Sequence, residues 1–272
     1  MALVHVVFDQ WPLTDIATAA SVLARVCGGT PADRALQLAR CRGLALDQLD
    51  AALAPALLAA WQQVGIRAFA VAPEAVPQFS RPSVARQLQP QPDGTLLAHI
   101  SLTGPPERLP ANQVLLVLPG HWQTTQVHHA PAQQKKSSAM GLAMDLALTG
   151  GVKTMLSMRP GKSEPGAVTE TTGQEPMVEL WLASPPRRIQ CFAHRLDYSA
   201  LPLTHGRVGD NWLAWLQELQ QALPAGVVGQ DRLTAALRRQ PLPADSVVAD
   251  NNDLARTGRW LLLRAVGRRL GG

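Results

Sequence analysis

Gly161-Lys162-Ser163, inside the stretch RPGKSEPG (Arg159 to Gly166), is the triplet with the most specific chemistry to offer. A Gly-Lys-Ser triplet closes a phosphate-binding loop when another glycine stands five positions before it, a strand precedes and a helix follows. Backbone amides and the helix N-terminus then cradle the phosphates. Leu156 stands where that first glycine belongs, and the following EPGAVTETTG cannot open a helix. Pro160, Gly161, Pro165 and Gly166 instead make a turn-rich loop. The reading is a long loop from Pro160 to Pro176 between two strands, with Lys162 a solvated charge at its base.

Other residues of suitable type lack suitable spacing. His128 and His129, with His121 nearby, point in different directions if the chain is a strand, and a shared metal needs a third ligand. No cysteine is close, and Asp145 is the nearest acid downstream, so a solvated polar loop is expected. Lys135-Lys136 lies in the same loop and is a candidate contact for phosphate or an acidic partner. His194, Asp197 and Ser199 are the ingredients of a catalytic triad, but nucleophile, base and orienting group normally converge from separate elements. No Gly-x-Ser-x-Gly elbow occurs. Tyr198 reads as a packing residue tethering the exit of a strand. Cys27, Cys41 and Cys191 have no CxxC spacing, which argues against a disulfide framework and a thiolate zinc site. Cys27 and Cys41 read as buried thiols in helical surroundings. No catalytic residue, metal or cofactor is expected.

Charge supplies the remaining candidates. The chain of 272 residues carries a formal net charge of +5, and residues 1–76 are near neutral with five Arg against six acids. The excess is densest in the last helical stretch, where Arg256, Arg259, Arg264, Arg268 and Arg269 fall among Leu254, Trp260, Leu261, Leu263 and Val266. These arginines read as a solvated face or as a surface for an acidic protein, nucleic acid or an anionic membrane. Trp212 and Trp215 share a helix without Lys or Arg, which suits a core better than a base-stacking platform. The Ala, Leu and Arg bias suggests a GC-rich bacterial genome. No apolar run approaches the ~18 residues of a membrane span. A reducing, cytoplasmic compartment is expected.

The elements that must position these residues begin with ALVHVVFDQW, a Val-rich strand. TDIATAASVLARVCGG reads as a helix capped by Thr14 with Ile16, Ala19, Ala20, Leu23 and Val26 on one face, closed by Gly28 and Gly29. TPADRALQLARC repeats the logic, with Thr30 as N-cap and Pro31 at the first helical position. LDQLDAALAPALLAAWQQVG predicts a third helix ending at Gly65, with Pro55 setting off a short turn, and IRAFAVAP a strand. This order, closing with AAWQQVGIRAFAV, resembles the C-terminal domain of the bacterial ribosomal stalk protein and the related Clp protease adaptor fold. Both are small α/β sandwiches that dock other proteins. The resemblance covers residues 1–76 and matches Arg34, in GGTPADRALQLAR, to a stalk lysine.

Residues 77–92, rich in Pro, Gln, Ser and Arg, read as a linker. GTLLAHISLTG and NQVLLVLPG predict strands, MGLAMDLALTGG an irregular strand, and MVELWLAS with RRIQCFAHRLDY a hairpin around SPPR. DNWLAWLQELQQAL follows as a helix capped by Asp210, its apolar face Trp212, Trp215, Leu216, Leu219 and Leu223. Strands closed by one amphipathic helix are similar to a pleckstrin-homology-like domain over residues 93–224. GQDRLTAALRRQPLP predicts a short helix ended by proline, and residues 225–272 a basic helical tail. The expected protein is α+β: a small N-terminal α/β sandwich, then a strand-rich pleckstrin-homology-like domain with C-terminal helices. The expected function is a non-enzymatic adaptor or scaffold docking a cytoplasmic protein through Arg34, Lys135, Lys136, Arg256, Arg259, Arg264, Arg268 and Arg269. Nucleic-acid binding through the Arg-rich helix and an enzyme with a dispersed site are the alternatives.

Overall fold

The Val-rich opening forms β1 (Leu3–Phe8), followed by α1 (Ile16–Cys27), α2 (Pro31–Ala39), β2 (Leu44–Asp50), α3 (Ala54–Gln63) and β3 (Ala68–Val71). The structure is a computed structural model that describes residues 2–101, 104–129, 168–201 and 206–270. Thr30 caps α2 as expected, accepting from the Asp33 amide at 3.1 Å. α1 is capped one residue later than expected: Asp15 accepts from the Thr18 amide at 2.9 Å and from its hydroxyl at 2.6 Å. The chain leaves α3 through Gly65, whose φ of 77° permits the Ile66 amide to reach Trp61 O at 2.9 Å and its own amide to reach Gln62 O at 3.0 Å. That pair of bonds is the Schellman ending, and it turns the chain into β3.

β2 replaces the start of the expected third helix. Leu46 and Leu49 are three apart, a helical spacing, yet they pair with Val6 and Val4 of β1, which are two apart. The extra residue is a β-bulge. Gln48, at φ 81°, lies within it. The bulge lets a helix-like pattern sit in a strand, so the period alone misleads.

The rest of the chain forms β4 (Ser83–Val84), β5 (Gln87–Pro90), β6 (Thr95–His99), β7 (Glu107–Pro110), β8 (Val114–His129), β9 (Val168–Leu182), β10 (Arg187–Phe192), α4 (Val208–Ala222), α5 (Gln230–Leu237), β11 (Val247–Val248) and α6 (Asn251–Leu270). The sheets run β2-β1-β3, β11-β8-β9-β10-β4 and β5-β6-β7, so the fold is α+β. The hairpin around SPPR is present, with Arg187 opposite Leu182. Three expectations change. The stretch read as a linker contributes β4 and β5, because each finds a partner: β4 on β10 and β5 on β6. The stretch from His121 to His129 continues β8 rather than looping, and residues 168–176 belong to β9; both are rich in the β-branched Thr and Val that favour strands. Asp210 lies within the first turn of α4, whose N-cap is Arg207.

Residues 1–123 and 174–272 form one compact unit, and residues 124–173 a second. Within the first, α6 is a strut rather than a tail. β1 alternates between two cores, sending Val6 and Phe8 to Leu23, Leu57 and Trp61 beneath α1 and α3, and Val7 to the face covered by α6. β9 alternates likewise: Val178, Leu180 and Leu182 meet Trp215 and Leu219 of α4, while Met177 and Trp181 meet Leu261 of α6. α6 fits between the two sheets because its glycines are notches. A Cβ on Gly258 would stand 2.3 Å from the Trp181 ring, and one on Gly267 2.6 Å from Phe69 Cβ.

Candidate functional site

The C-terminal end of α2, the edge strand β2 and the first half of α6 enclose a cleft of about 500 Å³. Gln37, Arg40, Cys41, Leu44, Ala45, Asp47, Ala255, Arg256 and Arg259 line it. Its walls are pinned from behind. Gly43 turns the chain from α2 into β2 at φ 91°, and a Cβ there would be 2.6 Å from the Trp260 indole. Trp260 Nε1 donates to Phe8 O at 2.8 Å, and Arg42 donates to the Asp253 carboxylate at 2.7 Å. These contacts fix α6 against the α2–β2 turn and so set the width of the cleft.

Arg259 connects the cleft to a buried histidine. Its Nη2 lies 2.9 Å from His5 Nε2, and its Nη1 3.4 Å from the Asp47 carboxylate. A guanidinium has only donors, so His5 Nε2 accepts and its proton rests on Nδ1. Nδ1 is 2.8 Å from Asp47 Oδ1, within ion-pair reach but without hydrogen-bond alignment. Burial, and then the Arg259 charge, hold this imidazole below its ordinary pKa of 6.5, against the opposing pull of Asp47. Burial pushes the Cys41 thiol up to about 11, so it is an apolar wall and not a thiolate.

Arg40 and Arg256 are exposed at the cleft mouth and have no carboxylate partner among the described residues. Arg259 is shared with Asp47, so the cleft stays net positive above a floor of Leu44 and Ala45. Guanidiniums placed in this way can donate charge-assisted hydrogen bonds to a carboxylate above an apolar floor.

The candidates drawn from the sequence disperse. Arg256 and Arg259 meet in the cleft. Arg264 lies over the Trp260 ring at 4.9 Å and donates to Asp9 O at 3.4 Å, while Arg268 pairs with the Asp9 carboxylate at 2.6 Å. Arg269 lines a separate groove. Arg34 closes the α1–α2 turn, donating to Gly28 O at 3.0 Å and to Gln37 Oε1 at 2.7 Å. Lys135 and Lys136, like the Gly161-Lys162-Ser163 triplet, lie outside the described residues. Tyr198 tethers the exit of β10 as expected, its hydroxyl donating to Ala193 O at 2.7 Å. Asp197 accepts from the Ser199 amide at 2.9 Å, a local turn. Sequence reading missed Arg40, whose only signal is its place at the end of α2, and missed His5 and Asp47, which carry none.

Among the described residues, no group of three or more His, Cys, Asp or Glu side chains could hold a metal ion, and no helix is long and apolar enough to cross a membrane. Fold and cleft together define an α+β protein with a basic groove at the edge of its N-terminal sheet. In comparison with known proteins, no family model, curated protein or solved structure matches this chain.

Proposed function

We propose that this protein is a cytoplasmic adaptor that holds an acidic segment of a partner protein in the cleft between α2, β2 and α6. One observation carries the reading: Arg40 and Arg256 have no carboxylate partner among the described residues and stand over an apolar floor, with Arg259 beside them held by Asp47 and His5. Nucleic acid is less well served. A phosphate backbone needs a run of uncompensated charges along one face. Here Arg264 and Arg268 of the same helix are engaged with Trp260 and Asp9. The likeness of the N-terminal module to the stalk and Clp-adaptor folds supports docking by analogy alone.

The test compares proteins retained by the tagged wild-type chain and by an Arg40→Glu/Arg256→Glu double variant in nuclease-treated lysate of the native cell. Partners bound through the cleft are lost from the variant, and an acidic peptide taken from such a partner binds it at least ~10-fold more weakly, as two reversed rim charges imply. An unchanged set of partners sinks the proposal.

A further inference from the structure

A second concavity, of about 460 Å³, lies along the C-terminal half of α6, within the usual size range for a small-molecule site. Four segments wall it: the turn 75–77, Val114 and Leu115 of β8, the loop 224–228, and α6 itself. α6 contributes Leu262, Ala265, Val266 and Arg269, which follow at i, i+3, i+4 and i+7 and so form one stripe. Three apolar side chains end on a cation. Apart from Asn112 and Arg269 the lining is apolar or glycine, and among the described residues no carboxylate takes part. Arg269 is exposed and has no ion-pair partner among the described residues.

The backbone of the neighbouring wall is already used. Val228 donates to Leu115 O at 3.0 Å and accepts from the Val117 amide at 2.9 Å. This stretch of β8 therefore offers no free edge to an added peptide strand. What the groove offers is apolar contact along its length and one positive charge at its end. Seven helical residues rise about 10 Å, the reach of an alkyl chain of medium length.

We propose that this groove binds a linear-chain monocarboxylic acid, its alkyl chain along Leu262, Ala265 and Val266 and its carboxylate on Arg269. Apolar burial supplies most of the affinity, and the Arg269 guanidinium selects the acid over neutral or cationic chains of the same length. The site is independent of the basic cleft.

Calorimetric titration of the full chain with decanoate, decanol and decylamine tests this. Decanoate binds, and decanol and decylamine bind at least ~10-fold more weakly, the loss expected for one charge-assisted hydrogen bond. Arg269→Gln, an exposed change, weakens decanoate by about the same factor and leaves decanol unaffected. Ala265→Trp, which fills the groove, abolishes both. Arg40→Glu/Arg256→Glu leaves decanoate binding intact. The assignment fails if all three amphiphiles bind alike, if Arg269→Gln is without effect, if the double variant loses decanoate, or if a short apolar peptide with a free C-terminal carboxylate binds in place of decanoate.

Discussion

α6 has two flanks, each backed by an arginine–carboxylate pair, and the two pairs differ in character. Toward the five-stranded sheet, Glu179 is wholly buried and receives Arg188 at 2.9 Å, Trp181 Nε1 at 3.0 Å and Gln190 at 3.3 Å. Gln190 in turn donates to Asn251 at the start of α6, at 2.7 Å. Toward the three-stranded sheet, Arg268 and Arg259 reach Asp9 and Asp47 from the solvent rim, with Arg268 still 52% exposed. The chemistry is the same and the dielectric is not. A buried carboxylate without its partner is an uncompensated charge in a medium that cannot solvate it. A rim pair exchanges protein for water with little change. The first flank is therefore the costlier one to break. The second leaves its guanidiniums free to trade an internal aspartate for a carboxylate from outside, which suits the cleft where Arg259 sits.

Breaking the buried flank gives the largest effect. Arg188→Ala removes the counter-charge of Glu179, whose pKa burial already pushes up, and the guanidinium stacked 4.8 Å over Trp181. A loss of about 3–5 kcal/mol is expected in denaturant unfolding, unchanged by added salt. A loss under about 1 kcal/mol at all salt concentrations would show that the two flanks do not differ as argued. The packing of the same flank is tested next by Gly258→Val. Its new Cβ meets the Trp181 ring, so α6 or the indole must move, at roughly 2–3 kcal/mol in the same measurement. Gly209→Ala, with nothing within 4 Å of its new Cβ, is the control and is expected to be neutral or slightly stabilising.

The same difference between flanks explains what was legible in the sequence. The faces of α1 and α4 were readable, because a 3.6-residue period and one buried side leave a clear stripe, as Trp212, Trp215, Leu216 and Leu219 do. The β9–β10 hairpin was readable from its turn, because Ser-Pro-Pro-Arg separates two strand-forming runs, although both strands are buried on both faces. β2 was not, because its bulge places Leu46 and Leu49 at helical spacing. The arginines of α6 were visible as a set, but not their sorting. Whether Arg268 is free or paired depends on Asp9, and Arg259 on His5 and Asp47, all more than two hundred positions away in sequence. Local pattern carries no information about such pairs. The cleft is assembled from α2, β2 and α6, and only its α6 wall announced itself by composition.

The smallest effect comes from the rim. Arg268→Gln removes the pair with Asp9 while leaving the Arg264 contact to Asp9 O in place. Asp9 is 8% exposed in that pair, so the loss is not nil, but Arg268 reaches it from water. About 1–2 kcal/mol is expected at low salt, because the arginine is solvated although Asp9 is not. Raising the salt to about 1 M shortens the screening length to roughly 3 Å and should narrow the gap between variant and wild type. The size of the salt response separates the two flanks most directly. The Arg268→Gln deficit shrinks as salt rises, whereas the Arg188→Ala deficit stays, because salt does not enter the space around Glu179. If both deficits shrink in parallel, Glu179 is reached by solvent and the buried flank is not buried in solution.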